Sequence, residues 1–319
     1  NETDADVSDK SNYAIRVNGR QLRVKAIGEV GNLGVTQRGR VEAGLRGVRL
    51  NTDALDNSAG VDCSDHEVNI KILLGEVERA GDLTRKRRDI LLEDMTNEVG
   101  DLVLRDNYLQ SQAITVAHEK ATASLDRLGR FMRALEKEGL LDRSIEFLPD
   151  DETLSQRMND RQGLTRPELS VLLAYAKLVL YDELLLSDLP DEPWMGQEVV
   201  RYFPEPLREQ YAAEIGRHSL RREIAVTVLT NAILNRVGIT FVGEMKERTG
   251  VPADDIARAY VAARDVLGLP EIWRSIEALD NEVPAALQTE MLIEASSTVE
   301  QVVVWILREL PRPLDVPEI

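Results

Sequence analysis

Residues 22–34 read LRVKAIGEVGNLG, a run of alternating apolar and charged residues followed by a glycine-rich stretch. The alternation over 22–27 predicts a β-strand with one apolar face. The glycines predict a turn after it. The residues that follow predict a helix, a second strand, a second polar turn and a second helix, over about 36–46, 48–50, 51–60 and 64–74. This order is typical of a parallel sheet, so we expect a partial α/β domain.

From about residue 76 the strand pattern ends, and apolar residues recur at helical spacing, as in Leu125, Leu128, Met132 and Leu135. Thr165-Arg166-Pro167-Glu168 predicts a capping box, with the Thr165 hydroxyl accepting from a helical amide and Glu168 reaching back. The predicted fold class is therefore α/β followed by all-α. We expect residues 1–75 to hold the sheet, 76–155 to form long linking helices and 156–319 to form an all-helical domain.

Composition excludes several classes of protein. A net charge of -17 over 319 residues argues against a nucleic-acid or anionic-membrane surface. The basic run at 85–88 is interpreted as the solvated first turn of a helix rather than an anion site. No apolar stretch reaches about 18 residues, and we expect no secretory leader. Cys63 is the sole cysteine, so we expect no disulfide, a small buried thiol and a reducing cytoplasm.

The two turns contain the residues suited to binding. In the first, backbone amides near Gly31 could approach a ligand, and Asn32 offers both a donor and an acceptor. The alternative is an ordinary connection whose glycines serve only the turn. Both turns follow predicted strands, and ligands of parallel sheets bind at that edge.

The second turn is followed by Asp65, His66 and Glu67, which invite a metal hypothesis. Consecutive residues of a helix point in different directions, whereas metal ligands must converge, so we predict no metal site. His66 remains either an acid–base residue or a buried or capping histidine that forms hydrogen bonds.

Both turns, taken as long strings, resemble the large-subunit bacterial NAD-specific glutamate dehydrogenases. The strings are GEVGNLGVTQ at 28–37, NTD at 51–53 and DNSAGVDCSDHE at 56–67, with AIRVNG at 14–19 upstream. The resemblance is strongest over 1–75 and implies that this part is the C-terminal part of a Rossmann-like NAD-binding domain. It continues more loosely to the end of the chain.

The resemblance also implies roles for individual residues. Gly31-Asn32 is similar to the turn that meets the nicotinamide ribose in amino-acid dehydrogenases. The segment that includes Asn57, Ser58 and Gly60 is similar to the turn beside the nicotinamide. Ser64 stands where the family places a serine that binds the side-chain carboxylate of glutamate. These residues are the predicted cofactor-binding and substrate-binding set.

The implied reaction is oxidative deamination of L-glutamate to 2-oxoglutarate and ammonia, with hydride transfer to NAD. In the family the catalytic Lys and Asp lie on an earlier domain, so we nominate no catalytic residue here and expect the chain alone to be inactive. A cytoplasmic homo-oligomer is expected.

Val30 departs from the family's usual glycine, and Asn12-Tyr13 from its usual Asn-Asp. A β-branched residue in a turn that needs positive φ would be strained by roughly 1–2 kcal/mol. The departure at Val30 favours an alternative function, a non-catalytic helical regulatory or assembly module that retains a degenerate dehydrogenase half.

Overall fold

The structure is a computed structural model that describes residues 3–8 and 10–319, without the side chains of Asp4, Val7 and Asn12. The α-helices, in chain order, are α1 Asp4–Val7, α2 Gln37–Gly44, α3 Asp53–Asp56, α4 Ser58–Ala80, α5 Arg85–Asp94, α6 Thr96–Glu119, α7 Leu125–Lys137, α8 Asp151–Asn159, α9 Arg166–Leu185, α10 Met195–Tyr202, α11 Glu205–Gln210, α12 Ala212–Ile215, α13 Arg221–Val237, α14 Phe241–Thr249, α15 Ala253–Val266, α16 Leu269–Glu277 and α17 Ala285–Glu309. Short 3-10 helices cover Lys10–Asn12, Gly19–Gln21, Leu189–Asp191 and Val316–Glu318.

The chain folds as two compact units. The first comprises Asn1–Ser58 and Gln110–Tyr175, and the second comprises Ala59–Leu109 and Ala176–Ile319. The boundaries predicted from the sequence, 1–75, 76–155 and 156–319, stay a prediction.

The predicted parallel sheet is wrong. The described residues contain helices and no strand, so over these ranges the chain is all-α and lacks a Rossmann-like sheet. The two expected strands meet only at one isolated parallel bridge, between Ala26 and Arg49. Two such short segments need further strands or a packed apolar face to be stable, and Val24 is 48% exposed. The alternation at 22–27 therefore does not mark a buried face.

The second polar turn is also more helical than predicted. Residues 53–56 form α3, and α4 begins at Ser58, so only Asn57 separates the two helices. Asn57 ends α3 with φ -106° and ψ 25°, and its amide N–H donates to the carbonyl of Asp53. Ser58 and Gly60 consequently lie in the first turn of a 23-residue helix rather than in a loop.

The prediction of helices beyond residue 76 is confirmed for the described residues. Leu125, Leu128, Met132 and Leu135 are buried along α7. The basic run at 85–88 opens α5, where the Thr84 side chain accepts from the amide of Arg87.

The capping box at Thr165 forms with a changed role for the hydroxyl. The Glu168 carboxylate accepts from the backbone amide of Thr165 at 2.7 Å, as expected. The Thr165 hydroxyl, however, donates to the same carboxylate at 2.7 Å. Arg157 donates to both Glu168 oxygens, so the buried carboxylate is fully paired within the first unit.

The core of the second unit is built around α15, which packs against α13, α14, α16 and α17. Tyr260 of α15 is fully buried, and its hydroxyl donates to the Ala232 carbonyl of α13 at 2.8 Å. Among the described residues no single helix has the length and hydropathy to cross a membrane. The pair α13 and α14, bent by 87°, meets those two criteria only together.

Candidate functional site

Two side chains predicted to bind the cofactor contact each other in the first unit. The Nδ2 of Asn57 donates to the Oδ1 of Asn32 at 3.0 Å. That bond uses one polar atom of each amide. Each side chain therefore keeps one polar atom for another group, a donor on Asn32 and an acceptor on Asn57.

An ion-pair network beneath the first turn fixes its backbone. Arg40 of α2 donates from Nε and Nη2 to the two Glu29 oxygens, both at 2.7 Å, and Nη2 lies 3.1 Å from Asp53 Oδ1. The two carboxylates in turn accept from backbone amides of the turn, Glu29 from Val35 and Asp53 from Leu33, each at 3.0 Å. The turn is thus held to the start of α3 by the buried charges of Arg40 and Glu29 and the part-buried charge of Asp53.

The pKa shifts agree with this arrangement. Burial alone would lower the pKa of Arg40, but hydrogen bonding and charge from Glu29 and Asp53 outweigh burial and raise it. Burial raises the pKa of Asp53, but the Leu33 amide and the Arg40 charge outweigh burial and lower it. Both groups therefore stay ionised at neutral pH.

A second set of contacts joins the turns from the other side. The Asp56 carboxylate accepts from the Glu29 amide at 3.0 Å and from the Asn51 side chain at 2.8 Å. Arg166 donates to the Asn51 Oδ1 at 3.0 Å. The position of Asn57, the next residue after Asp56, follows from these bonds.

The first turn is open at the glycine expected to meet a cofactor. Gly31 is exposed, and a Cβ built on it would meet nothing within 4 Å. Positive φ falls on Leu33, at 62°, and not on Val30, which is 78% exposed. The strain predicted at Val30 is therefore absent.

The remaining predicted residues lie at the start of α4. Gly60 and Ser64 belong to the second unit, and both are exposed. The Ser64 hydroxyl donates to the Gly60 carbonyl at 3.3 Å, one turn earlier in the same helix. Cys63 is exposed as well, so the expectation of a buried thiol is wrong. Asn32, Asn57, Gly31 and Ser58 belong to the first unit.

The opposite face of α4 carries a buried polar cluster within the second unit, which we call the Asp62 cluster. Asp62, His66 and Asp106 each place one ligand atom within 4.8 Å of the others. His66 is only 2% exposed, and its Nε2 lies 3.9 Å from Asp62 Oδ1. Neither nitrogen of His66 has a hydrogen-bond partner among the described residues, nor does Asp62 Oδ2. Of the alternatives left open for His66, the structure shows a buried histidine, without the hydrogen bonds that this alternative assumed.

Charges in and around the Asp62 cluster shift one another's pKa. Burial, together with the charges of Asp106 and Asp65, raises the pKa of Asp62 to about 7. Burial also raises the pKa of Asp106, against the opposing charge of Lys177. Burial lowers the pKa of Lys177 to about 8, although both aspartates oppose that shift. Burial lowers the pKa of His66, which favours its neutral form.

Tyr202 of α10 covers one face of the histidine. The two rings stack with centroids 4.4 Å apart and planes 20° from parallel. The Tyr202 hydroxyl donates to Asp65 at 2.7 Å and accepts from Asn69 at 2.9 Å. These contacts fix the plane of the His66 ring.

Sequence reasoning missed Asp62, Asp106, Lys177 and Tyr202 because it considered only the consecutive residues 65–67. The spacing of Asp62 and His66, four residues apart, was the available signal, since residues at i and i+4 share a helix face. Asp106 lies on α6, and no sequence spacing indicates that it reaches α4.

Two protein-family models match the sequence of the chain. Residues 1–117 match the family model described as "Bacterial NAD-glutamate dehydrogenase, catalytic domain". Residues 161–319 match the model described as "Glutamate dehydrogenase, C-terminal".

Similar curated proteins agree. An NAD-specific glutamate dehydrogenase of Halomonas elongata is 50% identical over 97% of the chain, and one of Pseudomonas aeruginosa is 49% identical over 98%. One of Mycobacterium tuberculosis is 44% identical over 99%. The chain spans 19% of the length of each of these relatives. The matched models define a dehydrogenase class, and the chain belongs to the bacterial NAD-specific glutamate dehydrogenase family.

Proposed function

We propose that this chain supplies part of the NAD and glutamate pocket of an NAD-dependent glutamate dehydrogenase. The reaction is oxidative deamination of L-glutamate to 2-oxoglutarate and ammonia, for which NAD serves as the hydride acceptor. The names of the similar proteins support both the activity and the cofactor. The contact between Asn32 and Asn57 is the structural observation that supports the proposal most directly.

The paired amides suit a nicotinamide nucleotide. A carboxamide carries one donor and one acceptor group, and a ribose hydroxyl can act as either. The remaining donor of Asn32 and the remaining acceptor of Asn57 complement such groups. Because the Arg40 network fixes the turn, these atoms are preorganised for orienting a bound ring. The open space at Gly31 leaves its backbone accessible to a ribose.

Ser64 is proposed to bind the side-chain carboxylate of glutamate. Its hydroxyl is exposed and bonded only weakly, at 3.3 Å, to its own helix. Rotation about χ1 would release that bond and turn the donor toward a carboxylate. A neutral donor at this position favours glutamate over an aliphatic amino acid, since an apolar side chain would leave the carboxylate unpaired.

We assign no step at the reacting Cα of glutamate to residues of this chain. By family resemblance, the lysine that polarises water and the aspartate that moves protons lie on another domain of the whole protein, so we propose that the chain alone is inactive. Gly31, Asn32, Asn57, Ser58 and Gly60 would then orient the cofactor, and Ser64 the substrate. A homo-oligomeric, cytoplasmic enzyme remains part of the proposal.

The alternative of a non-catalytic module loses its main support. It rested on strain at Val30, and positive φ in this turn falls on Leu33 instead.

The test is NAD-linked oxidation of glutamate by the whole protein that contains this chain, followed as NADH absorbance. Wild type and Val30→Gly are compared, with NADP and L-leucine as alternative cofactor and substrate. We expect comparable activity in both proteins, specific for NAD and glutamate. Absence of activity in both proteins would overturn the proposal, and activity only in Val30→Gly would support the degenerate alternative.

A further inference from the structure

We propose that Asp62, His66 and Asp106 form a binding site for one divalent transition-metal ion, with Zn²⁺ as its representative. The site lies wholly within the second unit and joins α4 to α6. It is independent of the proposed dehydrogenase activity, and it departs from the sequence-based expectation of no metal.

The geometry of the three side chains suits a metal. Ligand atoms bound to one tetrahedral Zn²⁺ lie about 3.4 Å apart, given bonds of about 2.0–2.2 Å. The three candidate atoms already lie within 4.8 Å of one another, and the His66–Asp62 pair is at 3.9 Å. Small side-chain rotations therefore bring them to bonding distance. Asp62 and His66 are one helical turn apart, a spacing at which two side chains can coordinate the same ion.

His66 provides a second, independent observation. A buried polar atom is almost always hydrogen-bonded, because burial without a partner loses the hydrogen bonds to water and gains none in return. The His66 ring is 2% exposed, and both of its nitrogens lack a partner among the described residues. Asp62 Oδ2 lacks one as well. A metal ion would satisfy one ring nitrogen and the carboxylate together.

His218, another buried histidine of the same unit, shows the usual pattern. Its Nε2 lies 3.1 Å from the Asn69 carbonyl, and its Nδ1 accepts from the Leu220 amide at 3.0 Å. Burial of a histidine in this unit therefore does not by itself leave the ring without partners.

The charges also favour a cation. Asp62 and Asp106 each interact with the carboxylate of Asp65, and the cations that act on these two aspartates are Lys177, on both, and Arg105, on Asp106. A divalent ion would offset the excess negative charge. A nitrogen ligand beside two carboxylates favours Zn²⁺ or a similar transition metal over Mg²⁺ and Ca²⁺, which prefer oxygen ligands. Three protein ligands leave a fourth position for water.

The experiment measures Zn²⁺ binding by titration calorimetry to the tag-free 319-residue chain after treatment with a chelator. We expect about one Zn²⁺ per chain. His66→Gln and Asp106→Asn should each weaken binding by about 100-fold or more. Cys63→Ser and His118→Asn remove an exposed thiol and an exposed histidine, and should leave the affinity within about twofold of wild type.

Circular dichroism confirms that each variant is folded. His66 is buried, so its variant can misfold. In that case the test relies on Asp106→Asn, whose side chain has nearly the same volume as the original. Co²⁺ spectra provide a second readout, with ligand-field bands in wild type that are lost in Asp106→Asn. No saturable binding to folded wild type, equal affinity in Asp106→Asn, or displacement of Zn²⁺ by excess Mg²⁺ would each overturn the proposal.

Discussion

The side-chain amide of Asn57 donates to the side-chain carbonyl of Asn32 over 3.0 Å, and this bond joins the end of α3 to the glycine-rich turn. Each residue lies in a string that resembles a dehydrogenase turn, and the two are 25 positions apart. Their contact lies within the first compact unit, which contains the first string at 28–37 and residues 56–58 of the second.

Loss of this bond should affect stability only slightly. Asn57→Ala and Asn32→Ala are each expected to lower the free energy of unfolding by about 0.5–1 kcal/mol, because the bond is exposed. Urea unfolding of both single variants and the double variant measures the coupling, which should also be about 0.5–1 kcal/mol. Strictly additive losses would show that the two amides do not interact in solution.

The buried Arg40 should matter far more for stability. Arg40→Met leaves the Glu29 carboxylate, 6% exposed, without its charge partner, and should lower the free energy of unfolding by about 3–5 kcal/mol. Arg40→Lys keeps the charge but loses the two-bond geometry, so its loss should be intermediate.

The matched control for Arg40 is Lys71→Met, which removes the partner of Glu67 in an exposed pair on α4. Its effect should stay within about 0.5 kcal/mol. Equal losses in Arg40→Met and Lys71→Met, measured by the same urea titration, would contradict the role assigned to the buried network.

The Asp62 cluster should make stability depend on pH. The pKa of Asp62 is raised by burial from 3.8 to about 7, so between these pH values the folded chain keeps a proton that the unfolded chain has released. The free energy of unfolding therefore falls as pH rises through this window. The side chain of Asp62→Asn cannot ionise. The free energy of unfolding of this variant should therefore rise relative to that of wild type, by about 1–2 kcal/mol between pH 4 and pH 8.

The measurement is urea unfolding across that range, with a chelator present so that no metal contributes. Asp101→Asn, on an exposed position of α6, serves as the control and should follow the wild-type profile. A constant difference between Asp62→Asn and wild type at all pH values would mean that the carboxyl titrates in the folded chain as it does in the unfolded one.

Ser64 should be dispensable for folding. Within the part of the chain that the structure describes, its hydroxyl bonds to the carbonyl of Gly60 in the same helix, and alanine has the higher helix propensity. Ser64→Ala should therefore keep the free energy of unfolding within about 0.5 kcal/mol of wild type, as should Cys63→Ala beside it. A loss well beyond that in thermal or urea unfolding would assign Ser64 a structural role.

Much of the helical fold could be predicted from the sequence. The α7 stripe, the Thr84 cap and the Glu168 contact to Thr165 are local features, set by residues three or four positions apart. The sheet could not be judged in this way, because pairing of strands depends on distant segments and on covering an apolar face. Ala26 and Arg49 form a bridge, yet the pairing extends no further.

The candidate site also combines residues that the sequence indicated with contacts between distant segments that it did not. Family resemblance pointed to Asn32, Asn57 and Ser64, and the structure adds the Asn32–Asn57 contact that no spacing predicts. The buried network on Glu29, Arg40 and Asp53 was not anticipated, since charged residues normally lie at the surface. The Asp62 cluster was missed because its third member, Asp106, comes from another helix.

The central claim is that the chain supplies part of the NAD and glutamate pocket of an active enzyme. Its most direct test is the steady-state kinetics of the whole protein that carries either Asn57→Ala or Ser64→Ala. Both variants should fold normally, so their effects would report binding. Asn57→Ala is expected to raise KM for NAD by about tenfold, with little change in KM for glutamate. Ser64→Ala is expected to raise KM for glutamate by about tenfold or more and to leave KM for NAD near the wild-type value. Wild-type kinetics in both variants, or no NAD-linked glutamate oxidation by the wild-type protein, would contradict the account.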